Sequence, residues 1–263
     1  MKRCFRLVTF VLLLLCILPA VAQNKKLPRV LIIGDSVYSQ SARGVSGDLK
    51  GRAEVVIASW PGDAICNSTT ALKHLDQILG YSDPKGKPLP KGQRPKWDMI
   101  HINVGLGDLI YRSPEMESFR VMPIHVGGVV ATSPARYEAN LNQLTDQLKA
   151  TGAEVVWAST TPIRHSRSNV FEVGSEIEYN AIAAKVMAKH GVQVNDMYTY
   201  VKGLINMDKP ASHGADPFNF DKKPIHMPIV RAVEQAFGLK PMAETKEELE
   251  VEEALKKPVP KQG

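Results

Sequence analysis

Ser36 follows a short apolar stretch, at a position where a hydroxyl group could act as a nucleophile. The aliphatic run at 30–33 leads directly into Gly34-Asp35-Ser36. A run of β-branched and aliphatic residues that ends at glycine predicts a buried strand. Strands buried on both faces belong to parallel sheets, whose ligands bind beyond the carboxyl ends of the strands. The pattern therefore predicts that Ser36 lies at the ligand-binding edge of a sheet. The simpler alternative is that Ser36 only caps the helix that follows.

The chain beyond Ser36 alternates between strand-like and helix-like patterns. Apolar runs predict four further strands, at 53–58, 97–104, 153–158 and 192–195. Apolar residues at helical spacing predict helices at 39–50, 70–79, 134–151, 177–190, 197–205 and 224–237. This alternation predicts an α/β fold, a five-stranded parallel sheet between two helical layers in a three-layer α/β/α sandwich. The proline-rich segment 81–96 is predicted to be a surface loop, and 111–133 to be an irregular loop at the ligand edge.

Several stretches resemble the conserved blocks of the SGNH/GDSL hydrolases. Gly34-Asp35-Ser36 after the first strand resembles the first block, and 97–109 resembles the third block. Weaker likenesses occur at 157–162, 179–183, 191–198 and 216–220. The resemblance runs from about Arg29 to Gly238. It implies the flavodoxin-like SGNH hydrolase fold and ester hydrolysis by an active-site serine.

The resemblance also implies roles for individual residues. Ser36 matches the family's nucleophile, and its backbone N–H would be one donor to the oxyanion. Asp216 matches the aspartate that orients the catalytic histidine. For the second-block oxyanion donor we prefer Gly62, while alignment on the following helix puts Cys66 there instead.

Two positions depart from the family pattern. Asn219 stands where the family has its catalytic histidine, and asparagine cannot accept a proton near neutral pH. Gly107 stands where the family has an asparagine that donates to the oxyanion. Asn103 lies four residues earlier on the strand, where alternation of side chains could turn it away from the site.

A substitute base would have to come from another histidine. His226 and His213 are the first candidates, because their segment enters the site in the family, although ordinary roles are open for both. Among the other histidines, we expect His125 and His165 on loops at the ligand edge. We expect His101 to be a core or packing residue in a strand, and His74 and His190 to lie on helix surfaces. Cys66 is expected to be a structural thiol. Arg164 and Arg167 could bind an anionic substrate, but solvated charges are the simpler interpretation.

Two functions are therefore open. The first is a serine ester hydrolase, for example a carbohydrate acetylesterase, with Ser36 as nucleophile. The second is a catalytically degenerate SGNH-fold protein that binds a glycan or acyl ester without turnover. In either case the expected partner is a small-molecule or carbohydrate ester. We expect no cofactor and no metal, because the family chemistry needs neither and no cluster of cysteines and histidines has zinc spacing.

The first 22 residues have the pattern of a secretory signal peptide. Basic residues at 2, 3 and 6 precede the apolar run 7–18, and Ala20-Val21-Ala22 is a small-x-small cleavage pattern. We expect cleavage after Ala22, no stable membrane anchor thereafter, and export to the periplasm or the medium. The remaining chain is predicted to comprise one domain at 27–240 and a charged, proline-containing tail at 241–263.

The charge of the chain does not indicate a nucleic-acid partner. Loss of the three basic residues of the signal would lower the formal net charge from +6 to +3. The other basic residues are scattered and do not alternate with aromatic residues, so we expect no nucleic acid to bind. Cys66 would be the last cysteine left, which excludes an internal disulfide.

Overall fold

The computed structural model describes residues 26–62, 65–114, 120–165, 169–208, 220 and 223–256. The expected signal peptide lies outside these residues. The strands of the described part are β1 (Arg29–Ile33), β2 (Glu54–Ile57), β3 (Met99–Ile102), β4 (Tyr111–Arg112), β5 (Val129–Val130), β6 (Glu154–Ala158) and β7 (Gln193–Asn195). Its α-helices are α1 (Ser36–Asp48), α2 (Ser68–Lys73), α3 (Leu75–Ile78), α4 (Leu106–Leu109), α5 (Pro134–Lys149), α6 (Ser175–His190), α7 (Met197–Leu204), α8 (Met227–Phe237) and α9 (Lys246–Lys256).

The main sheet is parallel and contains the five strands that the sequence predicts. Its order is β2-β1-β3-β6-β7, and every neighbouring pair is parallel. The chain leaves β1 toward one edge of the sheet and then returns past it to β3. The carboxyl ends of β1 and β3 therefore flank the switch point at which open α/β sheets hold their ligands. The predicted fold class is confirmed.

The helices cover both faces of the sheet. Right-handed crossovers require that connections running in opposite directions lie on opposite faces. The crossover α1, between β1 and β2, therefore lies opposite the crossovers α2, α5 and α6. The contacts agree, because α2 packs on α5 and α5 on α6, whereas α1 packs on α8.

Burial explains why the strands form where they do. The side chains of β1 from Val30 to Ile33 and all four of β3 are buried, as expected of central strands in a parallel sheet. The edge strands β2 and β7 have no fully buried residue. The core includes one histidine, His101 of β3, whose Nε2 lies 3.0 Å from Asn195 Nδ2. Burial lowers the pKa of His101 to about 4, so His101 is a neutral packing residue as predicted.

Two regions are more ordered than the sequence indicates. The loop at 111–133 contains the antiparallel pair β4 and β5, with a further bridge between Arg112 and Val121. In the tail, α9 packs on α7, and its Val251 is buried against Gly203.

Among the described helices, none is both long enough and apolar enough to cross a membrane.

Candidate functional site

Ser36 is the first residue of α1 and lies immediately beyond the carboxyl end of β1. The cap of this helix is Asp35, whose Oδ1 accepts hydrogen bonds from the N–H groups of Val37 and Tyr38. The alternative that Ser36 is the cap is therefore wrong. Ser36 is exposed, and neither its Oγ nor its N–H has a hydrogen-bond partner within the described residues. The hydroxyl and the amide are thus both available at the switch point.

Close packing around Gly34 fixes the turn that presents Ser36. A Cβ on Gly34 would lie 2.8 Å from Cγ of Tyr38, so only glycine fits beneath that ring. Trp60, which follows β2, donates from Nε1 to the Gly34 carbonyl at 2.9 Å. The Tyr38 hydroxyl donates to the Ser159 carbonyl at 2.7 Å. The turn is therefore held by contacts with residues that follow β2 and β6.

The carboxyl group of Asp35 is buried beside the nucleophile position. Its Oδ2 has no hydrogen-bond partner in the part of the chain that is described. Burial raises the pKa of Asp35 to about 6, and the two backbone N–H donors offset only part of that effect. Since Oδ2 is closed off from solvent, we assign Asp35 to holding the turn and not to proton transfer with substrate.

Gly107 has no side chain because the backbone of Cys66 fills the space. A Cβ at position 107 would overlap the Cys66 carbonyl oxygen and would lie 2.8 Å from its carbonyl carbon. It would also lie 2.9 Å from Cγ2 of Ile65. The asparagine that the resemblance implies at this position cannot be accommodated, so the departure seen in the sequence has a steric cause.

Asp108, the next residue, anchors the same segment. Its carboxylate accepts from the Ser68 N–H at 2.9 Å and from the Ser68 hydroxyl at 2.6 Å. Asn140 on α5 donates in turn to the Ser68 hydroxyl at 2.8 Å. Burial raises the pKa of Asp108 to about 6, although the hydrogen bonds from Ser68 act against this. Sequence reasoning missed this network, because its members are separated by up to 72 residues.

Asn103 points across the sheet and not toward Ser36. Its Nδ2 donates to the Ala158 carbonyl at 2.7 Å and to Thr160 Oγ1 at 3.2 Å. Ala158 is the last residue of β6 and Thr160 follows it, and β6 lies on the side of β3 away from β1. Asn103 therefore cannot replace the donor absent at position 107.

The two candidates for the second oxyanion donor lie in different surroundings. Gly62 is exposed with φ +52°, and a Cβ placed on it would meet nothing within 4 Å. Cys66 lies against Gly107 and close enough to Asp35 for that carboxylate to affect its thiol. Burial and, second, the charge of Asp35 raise the pKa of Cys66 to about 12. Such a thiol is a poor nucleophile, in line with the structural role expected for Cys66.

His226 lies at the far end of α1 from Ser36. Its Nε2 is 2.9 Å from Asp48 Oδ2, and Asp48 is the last residue of α1. Its ring fills the space beside Gly44, where a Cβ would lie 2.7 Å from the ring carbon Cγ. At 1.5 Å rise per residue, Gly44 is about 12 Å along the helix from Ser36. The hypothesis that His226 is a substitute base is therefore wrong.

The remaining base candidates divide between residues the structure describes and those outside it. His213, Asp216 and Asn219 lie outside the described residues, so the roles given to them stay predictions. None of the described histidines forms a hydrogen bond with Ser36. Within the described residues, no group of three or more His, Cys, Asp or Glu side chains is arranged to hold a metal.

Arg164 is buried, which contradicts the simpler interpretation that it is a solvated charge. It follows β6 at the ligand edge and is 2% exposed. Its guanidinium carbon lies 5.9 Å from the centre of the Phe220 ring. Phe220 is the last residue of the stretch 216–220 that resembles a family block, and it is the residue of that stretch that the structure describes.

Comparisons with known proteins support the fold. No protein-family model matches the chain, and no curated protein matches it. A lipase/acylhydrolase from Enterococcus faecalis superposes with a TM-score of 0.55 at 16% identity, covering 83% of this chain and all of that one. An acetylxylan esterase from Geobacillus stearothermophilus superposes with a TM-score of 0.52 at 14% identity, covering 81% of this chain and 95% of that one. The acetyl xylan esterase AlAXEase superposes with a TM-score of 0.53 at 15% identity, covering 78% of this chain and 99% of that one. The chain shares the α/β fold of these solved structures.

Proposed function

We propose that this protein is an exported serine ester hydrolase of the SGNH/GDSL type with Ser36 as its nucleophile. One observation carries the proposal. Ser36 is exposed at the switch point, and the fold uses neither its hydroxyl nor its N–H, because Asp35 caps α1 instead. The fold shared with an acylhydrolase and with acetylxylan esterases adds support.

The reaction would proceed through an acyl-enzyme. Ser36 Oγ attacks the ester carbonyl carbon and gives its proton to a base, and the carbonyl oxygen becomes an oxyanion. The Ser36 N–H donates to that oxyanion, with the Gly62 N–H as the second donor that we retain. The alcohol leaves with a proton, and water then releases the acid from Ser36. We assign the base to His213 and its orientation to Asp216, which matches the orienting aspartate of the family.

Acetylated carbohydrate is the substrate class that we propose. The neighbours described as acetylxylan esterases act on such esters, and export would give the protein access to polysaccharide.

A binding protein without turnover is the second candidate. Two observations favour it: Cys66 leaves no room for a side-chain donor at position 107, and His226 is paired with Asp48 far from Ser36. A fold can persist after its chemistry is lost. Such a protein would bind the acetylated glycan at the same edge of the sheet.

Hydrolysis of p-nitrophenyl acetate by the wild type and by Ser36→Ala separates the two candidates. We expect the wild type to exceed background and Ser36→Ala to fall to it, with both proteins unfolding at the same temperature. Equal, near-background rates on this ester and on acetylated xylo-oligosaccharides would contradict the hydrolase. Calorimetric binding of the same oligosaccharides would then favour the binding protein.

A further inference from the structure

The steric exclusion at position 107 removes one hydrogen-bond donor and brings another amide into the same region. The carbonyl of Cys66 takes the space beside Gly107, and the next residue along that segment is Asn67. On its other side, Cys66 lies within electrostatic range of Asp35, the residue before Ser36. The segment 66–67 thus lies between the carboxyl ends of β1 and β3, the two strands that flank the switch point.

Asn67 is held firmly but has donors to spare. Its Oδ1 accepts from the Thr70 N–H at 2.8 Å and caps α2. The following residue, Ser68, is tied to Asp108 through both its N–H and its hydroxyl. The Asn67 side chain is 8% exposed, and its Nδ2 has no hydrogen-bond partner within the described residues. Nδ2 is not one of the described side-chain atoms that lack both a hydrogen-bond partner and exposure to solvent, so it keeps contact with the surface.

We propose that the side-chain amide of Asn67 is an oxyanion donor that replaces the one excluded at Gly107. The inference rests on the proposed function, since an oxyanion forms only if Ser36 attacks an ester. The Asn67 amide is nearly buried and its Oδ1 is engaged by Thr70, which leaves the N–H bonds of Nδ2 for a ligand. Donors held in place before reaction, with little water around them, are those that stabilise a developing oxyanion most. A helix cap alone would not require the amide, because aspartate and serine cap as well as asparagine.

That equivalence among caps provides the test. Asn67→Asp keeps the capping oxygen and the shape but loses both donors, and Asn67→Ser keeps a capping oxygen without adding charge. Both variants should unfold within about 2 °C of the wild type. Loss of one oxyanion donor typically lowers kcat by roughly 10²–10³-fold, and we expect that loss on p-nitrophenyl acetate with KM changed less than threefold. Asn142→Asp, on α5, is the matched amide-to-carboxylate control and should leave kcat unchanged.

The outcomes separate the two claims. If the wild type exceeds Ser36→Ala and both Asn67 variants lose kcat as stated, the inference holds. If the wild type exceeds Ser36→Ala but either Asn67 variant keeps kcat within threefold, the inference is overturned and the proposed function stands. If the wild type equals Ser36→Ala on every ester, both are overturned.

Discussion

The carbonyl group of Cys66 occupies the space into which any side chain on Gly107 would project. Its carbonyl carbon lies 2.8 Å from the position of a Cβ on that glycine. Both segments are fixed, because the Asp108 carboxylate accepts hydrogen bonds from the N–H and from the hydroxyl of Ser68. The glycine is thus required by packing between the second and third sequence blocks and cannot be exchanged freely.

Gly107→Ala should destabilise the protein. The added methyl group meets backbone, which cannot rotate away, and overpacking of this kind costs about 1–3 kcal/mol. Urea unfolding would measure the change. The control is Gly47→Ala in α1, where a Cβ would meet nothing within 4 Å and where alanine should raise stability by about 0.5–1 kcal/mol. Equal stability of the two variants would show that the segment moves aside easily.

His226→Asn should leave ester hydrolysis unchanged and lower stability. The imidazole bonds Asp48 at 2.9 Å and packs beside Gly44, so its removal costs one hydrogen bond and some packing, about 1 kcal/mol. Thermal unfolding and the rate on p-nitrophenyl acetate would be measured on the same preparation. A tenfold loss of rate in a folded variant would return His226 to the catalytic site.

Asp35 makes the folded state more stable at pH 4 than at pH 7. Its pKa is raised to about 6 by burial, so between pH 4 and 6 the native state binds a proton that the unfolded chain has released. The contribution is complete below the unfolded pKa and is lost as the pH rises through 6. At about 1.4 kcal/mol per pKa unit it amounts to roughly 3 kcal/mol.

Asp35→Asn isolates this contribution. Asparagine caps α1 as well as aspartate does but does not titrate, so the free energy of unfolding of the variant should depend less on pH between 4 and 7. Asp108 contributes with the same sign and His101 with the opposite sign, and both remain in the variant. An unchanged slope against pH would contradict the assignment to Asp35.

The Cys66 thiol should react slowly in the folded protein. With its pKa at about 12 against about 8.5 for a free cysteine, the thiolate fraction at pH 8 falls by roughly 10³. Reaction with Ellman's reagent should therefore be slow in buffer and fast in denaturing urea. Asp35→Asn should speed the native reaction, because the charge of Asp35 is the second cause of the shift. Rapid labelling of native protein would indicate an activated thiol.

The fold was predictable because its signals are local. The run Val30–Ile33 is apolar along its whole length and the stretch 97–104 is mostly apolar, and buried parallel strands need nothing more specific. The start of α1 was placed three residues late, since Asp35 and Ser36 are both good caps and the sequence does not decide between them. The pair β4 and β5 was missed because two-residue strands leave no periodic pattern.

The site was predictable only in its first residue. Ser36 follows from the strand that delivers it, whereas His226 was misplaced because its contact with Asp48 joins residues 178 apart. The exclusion at Gly107 likewise depends on a loop 41 residues earlier. Contacts of this range are set by how helices pack on the sheet, and no spacing in the sequence records them.

Covalent trapping of Ser36 is the most direct test of whether this serine is the nucleophile. The purified protein is incubated with a fluorophosphonate, which phosphonylates an activated serine hydroxyl, and the modified peptide is identified by mass spectrometry. The prediction is one adduct on the peptide that contains Ser36, complete loss of hydrolysis of p-nitrophenyl acetate in step with labelling, and no adduct in Ser36→Ala. Hydrolysis that persists after full labelling, or an adduct on another residue that tracks the loss of activity, would contradict it.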